Sequence, residues 1–595
     1  MEGKGHSIYG KACLSRTSGD RCSFFDECQY LDQFRPEADD SSAGGNIVRI
    51  YSHASLFLGR NEFERKITPD LVIIDEAFIS SAVSNMPSIP ANEIIQHVRS
   101  DGHTMLGQEL LDCLSDHGGD LKHFRNKGIG ASEFQLVPLG RLKPSTGFDP
   151  DVKQSRNVGS ATLYRNLQRL IEVAAREIED EMQKRFEQLA YDSQKNEIVI
   201  CEHRPSRVPR SAPVLYLDAT ADPIITEPYL PELKYHQIDV KQLAVISQVH
   251  DRTGSNTFWN DKLKEEKQNL AAAEYDNSDN DLASLIVILN AWVKVGEKPL
   301  LVGHKALCDF LKVHPKLNQG VAVAHFMSLR GTNDYNDRSV IFITGRNQPP
   351  FDAIDHQARA IFGNSGNPLE HDDIEEMPMD HVEYWLSDRS PHNPSAIGLP
   401  TFSDPRIEAV LRQVREAETV QAIARLRLVW ATYQKPVFLL SNLPVEIPVD
   451  HLIEFNDLMP DRLKLELLDK GDVPITYRGL LKMRPELGLS EEAAKKTVQR
   501  SDADDPRLML SALPDLLRAC AQVAVFQAGE KRKTEQKHIF LPKDFKTFWP
   551  EKLGEPTVVE LERWSDQEVL ELLEAGWGRG KAEDLKVDSY YQPPP

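Results

Sequence analysis

The sequence predicts an α/β protein built on two parallel-sheet domains, with a helical insertion in the first and a mostly helical C-terminal domain. Two observations predict the sheets. Apolar runs end in polar residues at 71–76 (LVIIDE) and 213–221 (PVLYLDATA), as buried strands do where their carboxyl ends meet one polar edge. Strand-like and helical segments then alternate between 244 and 345, which is typical of a parallel sheet.

Length and composition limit the class of protein. A chain of 595 residues predicts about three to five domains. No apolar run approaches the roughly 20 residues of a membrane span, and no signal peptide is evident, so we expect a cytoplasmic protein without membrane contact. The net charge of −21 means that nucleic-acid binding would need a local basic groove. The candidates are 203–210 (HRPSRVPR) and 531–533 (KRK), with solvated loops as the alternative.

The cysteines fall into two groups. Cys13, Cys22 and Cys28 form a C-x8-C-x5-C cluster near the N-terminus, which suits an iron–sulfur cluster or zinc but is one thiolate short of the usual four. An unmetallated loop is the alternative. The scattered cysteines are expected in the core: Cys113, Cys201, Cys308 and Cys520.

The next two segments carry candidate site residues. Residues 47–58 (IVRIYSHASLFL) alternate and end near His53, which predicts a strand and a turn. Residues 70–78 (DLVIIDEAF) place Asp75 and Glu76 at a strand end, where carboxylates can bind Mg²⁺ and orient a water. Solvated strand-end charges are the alternative.

The motif VIIDEAF resembles motif II (Walker B) of superfamily 2 helicases, and the cysteine segment with 47–58 resembles the iron–sulfur region of the DinG/XPD-like members. The resemblance implies a 4Fe-4S cluster on the three cysteines, or zinc with His6 as a further ligand. It also implies a DNA path beside His53, for which a hydrogen-bonded histidine in a core strand is the alternative.

A mostly helical stretch follows. Leu163, Leu167 and Phe186 belong to an apolar stripe that predicts one amphipathic helix over 160–190. The stretch from about 85 to 195 matches the position of the arch-like insertion of DinG/XPD relatives. After it, LDATA resembles motif III, and Asp218 and Thr220 are expected to hydrogen-bond the Asp-Glu edge and couple it to the fold.

The second domain is expected over 226–450, with strands at 244–249, 298–303, 321–326 and 339–345 and a helix at 279–294. LLVGHKA resembles motif IV, and AHFMSLRGTNDYND resembles motif V. This resemblance implies nucleic-acid contacts by Arg330, Thr332 and Asn333 and a nucleotide-coupling turn at Gly331. Without partner motifs the segment would be only a loop.

Residues 418–427 resemble motif VI, QxxGRxxR. Gln421 and Arg425 are four apart on one helix face, and a helix start presenting Arg425 has the form of an arginine finger. Ala424 replaces the motif's glycine, and the second arginine, Arg427, lies one position early. Surface arginines on an amphipathic helix are the alternative.

Residues 435–449 predict a last strand, and 451–595 a helical appendage. Ser490 is an N-cap candidate with Glu491 and Glu492 in the first turn. A helix-turn-helix or winged-helix arrangement is one interpretation, with HIFLP as a wing strand.

No phosphate-binding G-x-x-x-x-G-K-[ST] motif occurs, so the first RecA-like domain is expected to be incomplete, from a misplaced start or a truncated gene. The domains are therefore predicted at 1–46, 47–225, 226–450 and 451–595.

The resemblance implies two RecA-like domains that move single-stranded or forked DNA by hydrolysing ATP with Mg²⁺. Asp75 binds the ion, Glu76 activates water and Arg425, with Arg427 second, contacts the γ-phosphate across the cleft. Asp218, Thr220, Gln421 and Gly331 relay the nucleotide state. Replication or plasmid-maintenance proteins are expected partners. The alternative is a catalytically dead DNA-binding or scaffolding protein on the same fold.

Overall fold

A computed structural model describes most of the chain. The described residues are 50–57, 69–83, 86–139, 158–238, 240–272, 281–329, 331–387, 396–459, 461–501, 521–529, 533–548, 557–579 and 582–589, with the single positions 27 and 48. Contacts divide the chain into two units. The first comprises Met1–His236, Pro349–Met379 and Pro400–Gln413, and the second Gln237–Gln348, Asp380–Leu399 and Val414–Pro595.

The described residues include both strands and helices. The strands are β1 Val72–Asp75, β2 Ser88–Pro90, β3 Leu189–Asp192, β4 Glu197–Ile200, β5 Val214–Leu217, β6 Ala244–Val249, β7 Pro299–Gly303, β8 Ala322–His325, β9 Val340–Thr344, β10 Met379–Glu383, β11 Ala396–Pro400, β12 Lys435–Leu440, β13 His451–Ile453, β14 Asp472–Pro474, β15 Gln522–Ala528, β16 Thr534–Phe540, β17 Asp544–Phe548, β18 Thr557–Glu562 and β19 Ala582–Ser589. The helices are α1 Ile79–Ala82, α2 Ala91–His97, α3 Leu106–Ser115, α4 Lys122–Lys127, α5 Ala131–Gln135, α6 Val158–Glu179, α7 Pro223–Thr226, α8 Asn256–Ala272, α9 Asp281–Lys294, α10 Lys305–Leu311, α11 Phe351–Phe362, α12 Pro405–Ala424, α13 Phe455–Leu458, α14 Arg462–Lys470, α15 Tyr477–Met483, α16 Glu491–Arg500 and α17 Asp566–Trp577.

The first unit contains two small sheets. Strands β1 and β5 pair in parallel, and β2, β4 and β3 form an antiparallel sheet. The antiparallel sheet and α2–α6 share one hydrophobic core, which runs from Ile89 to Ile200. The stretch expected to be a helical insertion therefore also contains a sheet and buries its own apolar side chains.

Two predictions of local structure in this unit are wrong. The amphipathic helix ends at Glu179, so Phe186 lies in the connection that follows it, although it is buried in the same core. The strand expected over 47–58 is not formed in its described part. Instead His53–Leu56 is a 3-10 turn, and Ile50 is exposed, so the alternating pattern has no sheet face to pack against.

The second unit is organised on a six-stranded, all-parallel sheet in the order β13-β6-β12-β9-β7-β8. Strands β7 and β9 are buried along their whole length, because separate cores cover the two faces of the sheet. The α/β class is thus confirmed, as are the strands expected at 244–249, 298–303, 321–326 and 339–345, within one residue at each end.

The C-terminal part of the second unit is mixed, and the expectation of a mostly helical region is wrong. Its runs QVAVFQA and TEQKHIF pair as the antiparallel strands β15 and β16. With β14 and β19 they form a four-stranded sheet in the order β14-β16-β15-β19. Helix α16 does begin after Ser490, whose hydroxyl accepts the N–H of Ala493 as predicted.

None of the described helices is long and apolar enough to cross a membrane.

Candidate functional site

The two strands with polar ends are neighbours. Val72 pairs with Val214, and the register continues to Asp75 opposite Leu217. Because the strands are parallel, their carboxyl ends lie at one edge of the sheet. That edge carries Asp75 and Glu76 from one strand and Asp218 and Thr220 from the other, so the structure brings these four predicted residues together. We call them the carboxylate edge.

Glu76 turns the chain sharply at this edge. Its N–H donates to the carbonyl oxygen of Leu217 over 2.8 Å, and its backbone is left-handed, with φ of 64°. That conformation is unfavourable for any residue other than glycine, and such strain is concentrated at functional sites. The turn leaves Asp75 exposed and Glu76 half-buried.

Asp218 is oriented by its own turn. One carboxylate oxygen accepts the N–H and the hydroxyl of Thr220, at 2.8 and 2.9 Å, and the other accepts the hydroxyl of Tyr216 at 2.5 Å. Thr220 also lies 3.4 Å from the side-chain amide of Gln413. The carboxylate is therefore fixed in direction, although the predicted bond from this pair to Asp75 or Glu76 stays a prediction.

His53 lies beside the carboxylate edge. Its Nε2 donates to the carbonyl oxygen of Asp75 over 2.7 Å. The hydrogen-bonded histidine expected from the sequence is present, but it projects from the 3-10 turn and not from a core strand. Its role in contacting DNA stays a prediction.

A cluster of aromatic side chains, which the sequence analysis missed, packs beside the carboxylate edge. The buried ring of Phe78 lies 6.0 Å from Phe57, 5.3 Å from Tyr216 and 5.6 Å from Tyr229, measured between centroids. Phe78 follows Glu76 by two residues, so its packing fixes where the chain leaves β1. The adjacent aromatic positions in "EAF" and "LYL" were the available signal.

One face of the β1–β5 sheet is apolar and exposed. Leu71 and Ile73 are 50% and 58% exposed, and Leu215 and Leu217 are 45% and 48% exposed, whereas Ile74 is 3% exposed. The prediction of a strand buried on both faces is therefore wrong for Leu71 and Ile73. Parallel sheets are normally covered on both sides.

The predicted residues of the second unit also converge. Arg425 Nη1 donates to the carbonyl oxygen of Thr332 at 3.2 Å, and Arg427 donates to the side-chain oxygens of Asn333 and Asn336 at 2.6 and 2.9 Å. We call residues 425–427 the arginine turn. Gly331 lies in the loop that contains Thr332 and Asn333, and its backbone is left-handed, with φ of 68°. Arg330 lies outside the described residues.

The arginine turn differs from the prediction in one respect. Arg425 follows the end of α12 at Ala424 and does not stand at a helix start, whereas Arg427 immediately precedes a short 3-10 helix, Leu428–Trp430. Arg427 is left-handed, with φ of 53°, and its flanking residues Leu426 and Leu428 are buried in the core below. Gln421, in the last turn of α12, is buried.

Two buried residues that the sequence analysis missed position the arginine turn. The carboxylate of Glu418 accepts the N–H of Met327, where the loop begins. The Lys435 ammonium donates to the carbonyl oxygens of Arg338 and Leu426, each at 2.8 Å. Lys435 thus links Arg338, at the end of the loop that begins at Met327, to Leu426 in the arginine turn. Burial lowers the pKa of Lys435 to about 8. A lysine at the start of an apolar strand gave no signal of this role.

The first unit contains a buried ion network away from the carboxylate edge. His371 Nδ1 lies 2.6 Å from Asp355, and its Nε2 lies 3.3 Å from Glu187. Arg359 donates to Asp355 and to the carbonyl oxygen of Phe186. Burial alone would raise the pKa of Asp355, but the charges of Arg359 and His371 hold it well below its usual range. The contacts of His371 with Glu187 and of Arg359 with Phe186 join residues more than 170 positions apart, so sequence spacing could not reveal them.

Within the described residues, no group of three or more His, Cys, Asp or Glu side chains is arranged to hold a metal ion. His6, Cys13, Cys22 and Cys28 lie outside those residues. Cys113, Cys201 and Cys308 are buried and free, which confirms the core placement predicted for them.

Comparison with models of known protein families, with curated proteins and with solved structures found no match to this chain.

Proposed function

We propose that this chain is a DinG/XPD-like superfamily 2 motor, which couples nucleoside triphosphate hydrolysis to movement along single-stranded DNA. The observation that carries the proposal is the parallel pairing of β1 with β5. It gathers Asp75, Glu76, Asp218 and Thr220 at the carboxyl edge of a sheet, where α/β proteins bind nucleotides.

The proposal assigns Mg²⁺ to Asp75 alone, because its exposed carboxylate offers the hard oxygen ligands that the ion prefers. In this proposal Asp75 holds the ion, which when bound neutralises charge on the phosphates. Glu76 accepts a proton from the attacking water, and its strained backbone is of the kind that is concentrated at functional sites. Both carboxylate oxygens of Asp218 already accept hydrogen bonds within its turn, so Asp218 does not act as a base in this proposal. It instead relays the nucleotide state to the fold.

The second unit is proposed to be a RecA-like domain. Its parallel sheet supports that assignment, and so does the bonding of Arg425 and Arg427 to the loop of Thr332 and Asn333. In the proposal Arg425 stabilises phosphate charge, and Gln421 and Gly331 transmit the nucleotide state. Thr332, Asn333, Arg330 and His53 contact the DNA strand.

The cluster of Cys13, Cys22 and Cys28 stays a prediction. If it binds a 4Fe-4S cluster, protein prepared without oxygen absorbs in the visible range. If it binds zinc, with His6 as a further ligand, the protein is colourless and contains zinc by elemental analysis. Metal-free protein that stays folded contradicts both.

One observation favours a second candidate function. The sequence contains no G-x-x-x-x-G-K-[ST] motif, whose amides and lysine supply most of the β/γ-phosphate binding in such motors. The alternative is therefore a catalytically inactive protein of the same fold that binds DNA or acts as a scaffold.

Phosphate release by the full chain tests the motor. With millimolar ATP, Mg²⁺ and a single-stranded oligonucleotide, we expect DNA-stimulated hydrolysis that falls at least about 100-fold in Glu76→Gln. Glu181→Gln is the matched control, because Glu181 is exposed in a turn of the same unit. Equal rates in all three proteins would assign the activity to a contaminant.

The same preparation separates the two functions. Absence of hydrolysis, with single-stranded DNA still bound, supports the inactive protein and rejects the motor for this chain. Hydrolysis that is lost in Glu76→Gln but kept in Glu181→Gln rejects the inactive protein.

A further inference from the structure

The C-terminal part of the second unit has an order of elements that the proposed motor does not use. Between 461 and 541 the described elements run α14, β14, α15, α16, β15 and β16. Strand β16 lies between β14 and β15, and both pairings are antiparallel. Three helices followed by a hairpin, with this strand order, are the arrangement of a winged helix, in which the third helix enters a DNA groove. Here the third helix is α16.

The inner side of this arrangement is firmly packed. Helix α15 lies so close to β14 that a Cβ on Gly479 would be 2.9 Å from the Cβ of Pro474. Asp472 on β14 accepts bonds from Arg484 at 2.8 Å and from His538 on β16 at 2.6 Å. Ala494 of α16 is buried in the core that these elements share. The third helix is therefore held on a rigid support.

The outer side of α16 is polar, and its second half is basic. Its exposed residues include Lys495, Lys496, Gln499 and Arg500, which lie on consecutive turns. The exposed side carries no large apolar residue, whereas the centres of protein–protein interfaces are apolar and depleted in lysine. Lysine and arginine bind phosphates and guanine, and glutamine binds adenine. The composition therefore favours DNA over a protein partner.

The basic surface continues from α16 to the hairpin. The Lys495 ammonium lies 4.9 Å from the centre of the Tyr477 ring, whose hydroxyl accepts from Arg478 at 2.9 Å. Arg478 also donates to Thr534, at the start of β16, over 3.3 Å. Lys533, which immediately precedes Thr534, is exposed and paired with Glu583. These contacts make one continuous surface, which we call the α16 surface.

The acidic residues on this surface do not prevent binding. Glu491 and Glu492 pair with Lys495 and Lys496 one turn away, at 2.6 and 3.3 Å. Exposed ion pairs of this kind contribute little, so a DNA phosphate can replace the glutamate as partner. The whole chain carries a net charge of −21, so contact with DNA must be confined to a local basic surface of this kind.

We propose that the α16 surface binds duplex DNA, with α16 in the major groove and Arg478 and Lys533 against the backbone. The major groove, about 12 Å wide, admits a helix with its side chains. This binding site shares no residue with the carboxylate edge or the arginine turn. It does not depend on hydrolysis or on the proposed motor function.

Fluorescence anisotropy with the full chain and a labelled duplex of about two helical turns tests the proposal. The double variant Lys495→Gln and Lys496→Gln removes two phosphate contacts. We expect duplex affinity to fall on the order of tenfold at low salt, and the slope of log K against log salt to decrease by about 2. The matched control, Lys470→Gln with Lys586→Gln, loses the same charge from exposed residues outside the α16 surface and should match the wild type.

The outcomes are distinct. A wild-type chain that binds no duplex overturns the proposal and leaves the surface to a protein partner, and so does equal binding by both double variants. Circular dichroism checks that the variants fold, and the milder variant Gln499→Ala should change sequence preference without changing the salt slope. Loss of hydrolysis with duplex binding retained contradicts the proposed motor and leaves this inference intact.

Discussion

The N–H of Glu76 donates to the carbonyl oxygen of Leu217 over 2.8 Å, one residue beyond the last paired residues of β1 and β5. The position of Glu76 is therefore set by the neighbouring strand and not by a free loop. The backbone at Glu76 is left-handed, with φ of 64°, so this position carries local strain.

Glycine at position 76 should be more stable than alanine, which reverses the usual order. Both substitutions remove the carboxylate, but alanine keeps the left-handed penalty of about 1–2 kcal/mol. Glycine relieves it and costs about 0.4–1 kcal/mol through the unfolded chain. We expect the local stability of the Glu76→Gly variant to exceed that of the Glu76→Ala variant by roughly 0.5–1 kcal/mol.

Hydrogen exchange of peptides covering β1 and β5 measures this difference locally, since a chain of this size unfolds in several steps. Neither variant should hydrolyse ATP, so activity cannot explain the result. Equal protection in the two variants would mean that the backbone at position 76 is not strained.

The exposed face of the β1–β5 sheet should tolerate polar residues. Ile73→Thr and Leu217→Thr are expected to change local stability by no more than about 0.5 kcal/mol, because both side chains are about half exposed. Ile74→Ala, on the buried face, should cost about 2–4 kcal/mol. A cost for Ile73→Thr close to that of Ile74→Ala would show that another segment covers the face.

The sequence predicted the strands of the parallel sheets well because their periodicity is local. The alternating strands of the six-stranded sheet and the parallel strands β1 and β5 followed from apolar runs and their polar ends. It failed where tertiary contacts decide. The arginine turn depends on Leu426 and Leu428 entering the core, and its bonds to Asn333 and Asn336 cross about 90 residues. No spacing rule predicts such pairs.

Lys435 should make the stability of the second unit depend on alkaline pH. Its pKa is lowered to about 8 by burial, against 10.5 in an unfolded chain. Between these values the unfolded state binds more protons, so this group's contribution to stability rises with pH. We expect the stability difference between wild type and Lys435→Met to change in the wild type's favour from pH 8 to 10.

Hydrogen exchange of peptides covering β12, measured at several pH values in both proteins, gives this difference in stability. The contributions of the other titrating groups are the same in both proteins and therefore cancel. A difference that does not vary with pH would mean that Lys435 keeps an ordinary pKa. Lys470→Met, an exposed lysine of the same unit, is the control and should show no such change.

Glu177 should have the opposite effect in the first unit. Burial raises its pKa to about 8, from 4.5, although its carboxylate accepts the N–H of Gln188 at 2.9 Å. Between pH 4.5 and 8 the folded state retains a proton that the unfolded state releases, so stability falls as pH rises. We expect Glu177→Gln to remove this slope, and peptides covering α6 to be better protected at pH 8 than in the wild type. An unchanged slope would contradict a buried, protonated Glu177.

The contact of His538 with Asp472 should make the support of α16 sensitive to mild acid. Burial lowers the pKa of His538, in spite of the nearby carboxylate. Burial would raise the pKa of Asp472, but its bond to His538 and the charge of Arg484 lower it overall. His538 is therefore neutral, and its Nε2–H donates a hydrogen bond to the charged carboxylate of Asp472.

The two groups act in separate pH ranges. An unfolded histidine binds a proton below about 6.5 while His538 in the fold does not, so stability falls as pH decreases below that value. Asp472 contributes stability above about 3.9 and loses it only as pH falls through its lowered folded value. Between pH 7.5 and 5 the loss therefore comes from His538.

The variant His538→Gln separates this effect, because its amide can still donate to Asp472 but does not titrate. Between pH 7.5 and 5 the wild type should lose exchange protection in β14 and β16, and the variant should lose much less. Duplex binding through the α16 surface should weaken over the same pH range in the wild type only, since the helix is positioned by this support. Equal losses in both proteins would assign the acid sensitivity to other groups.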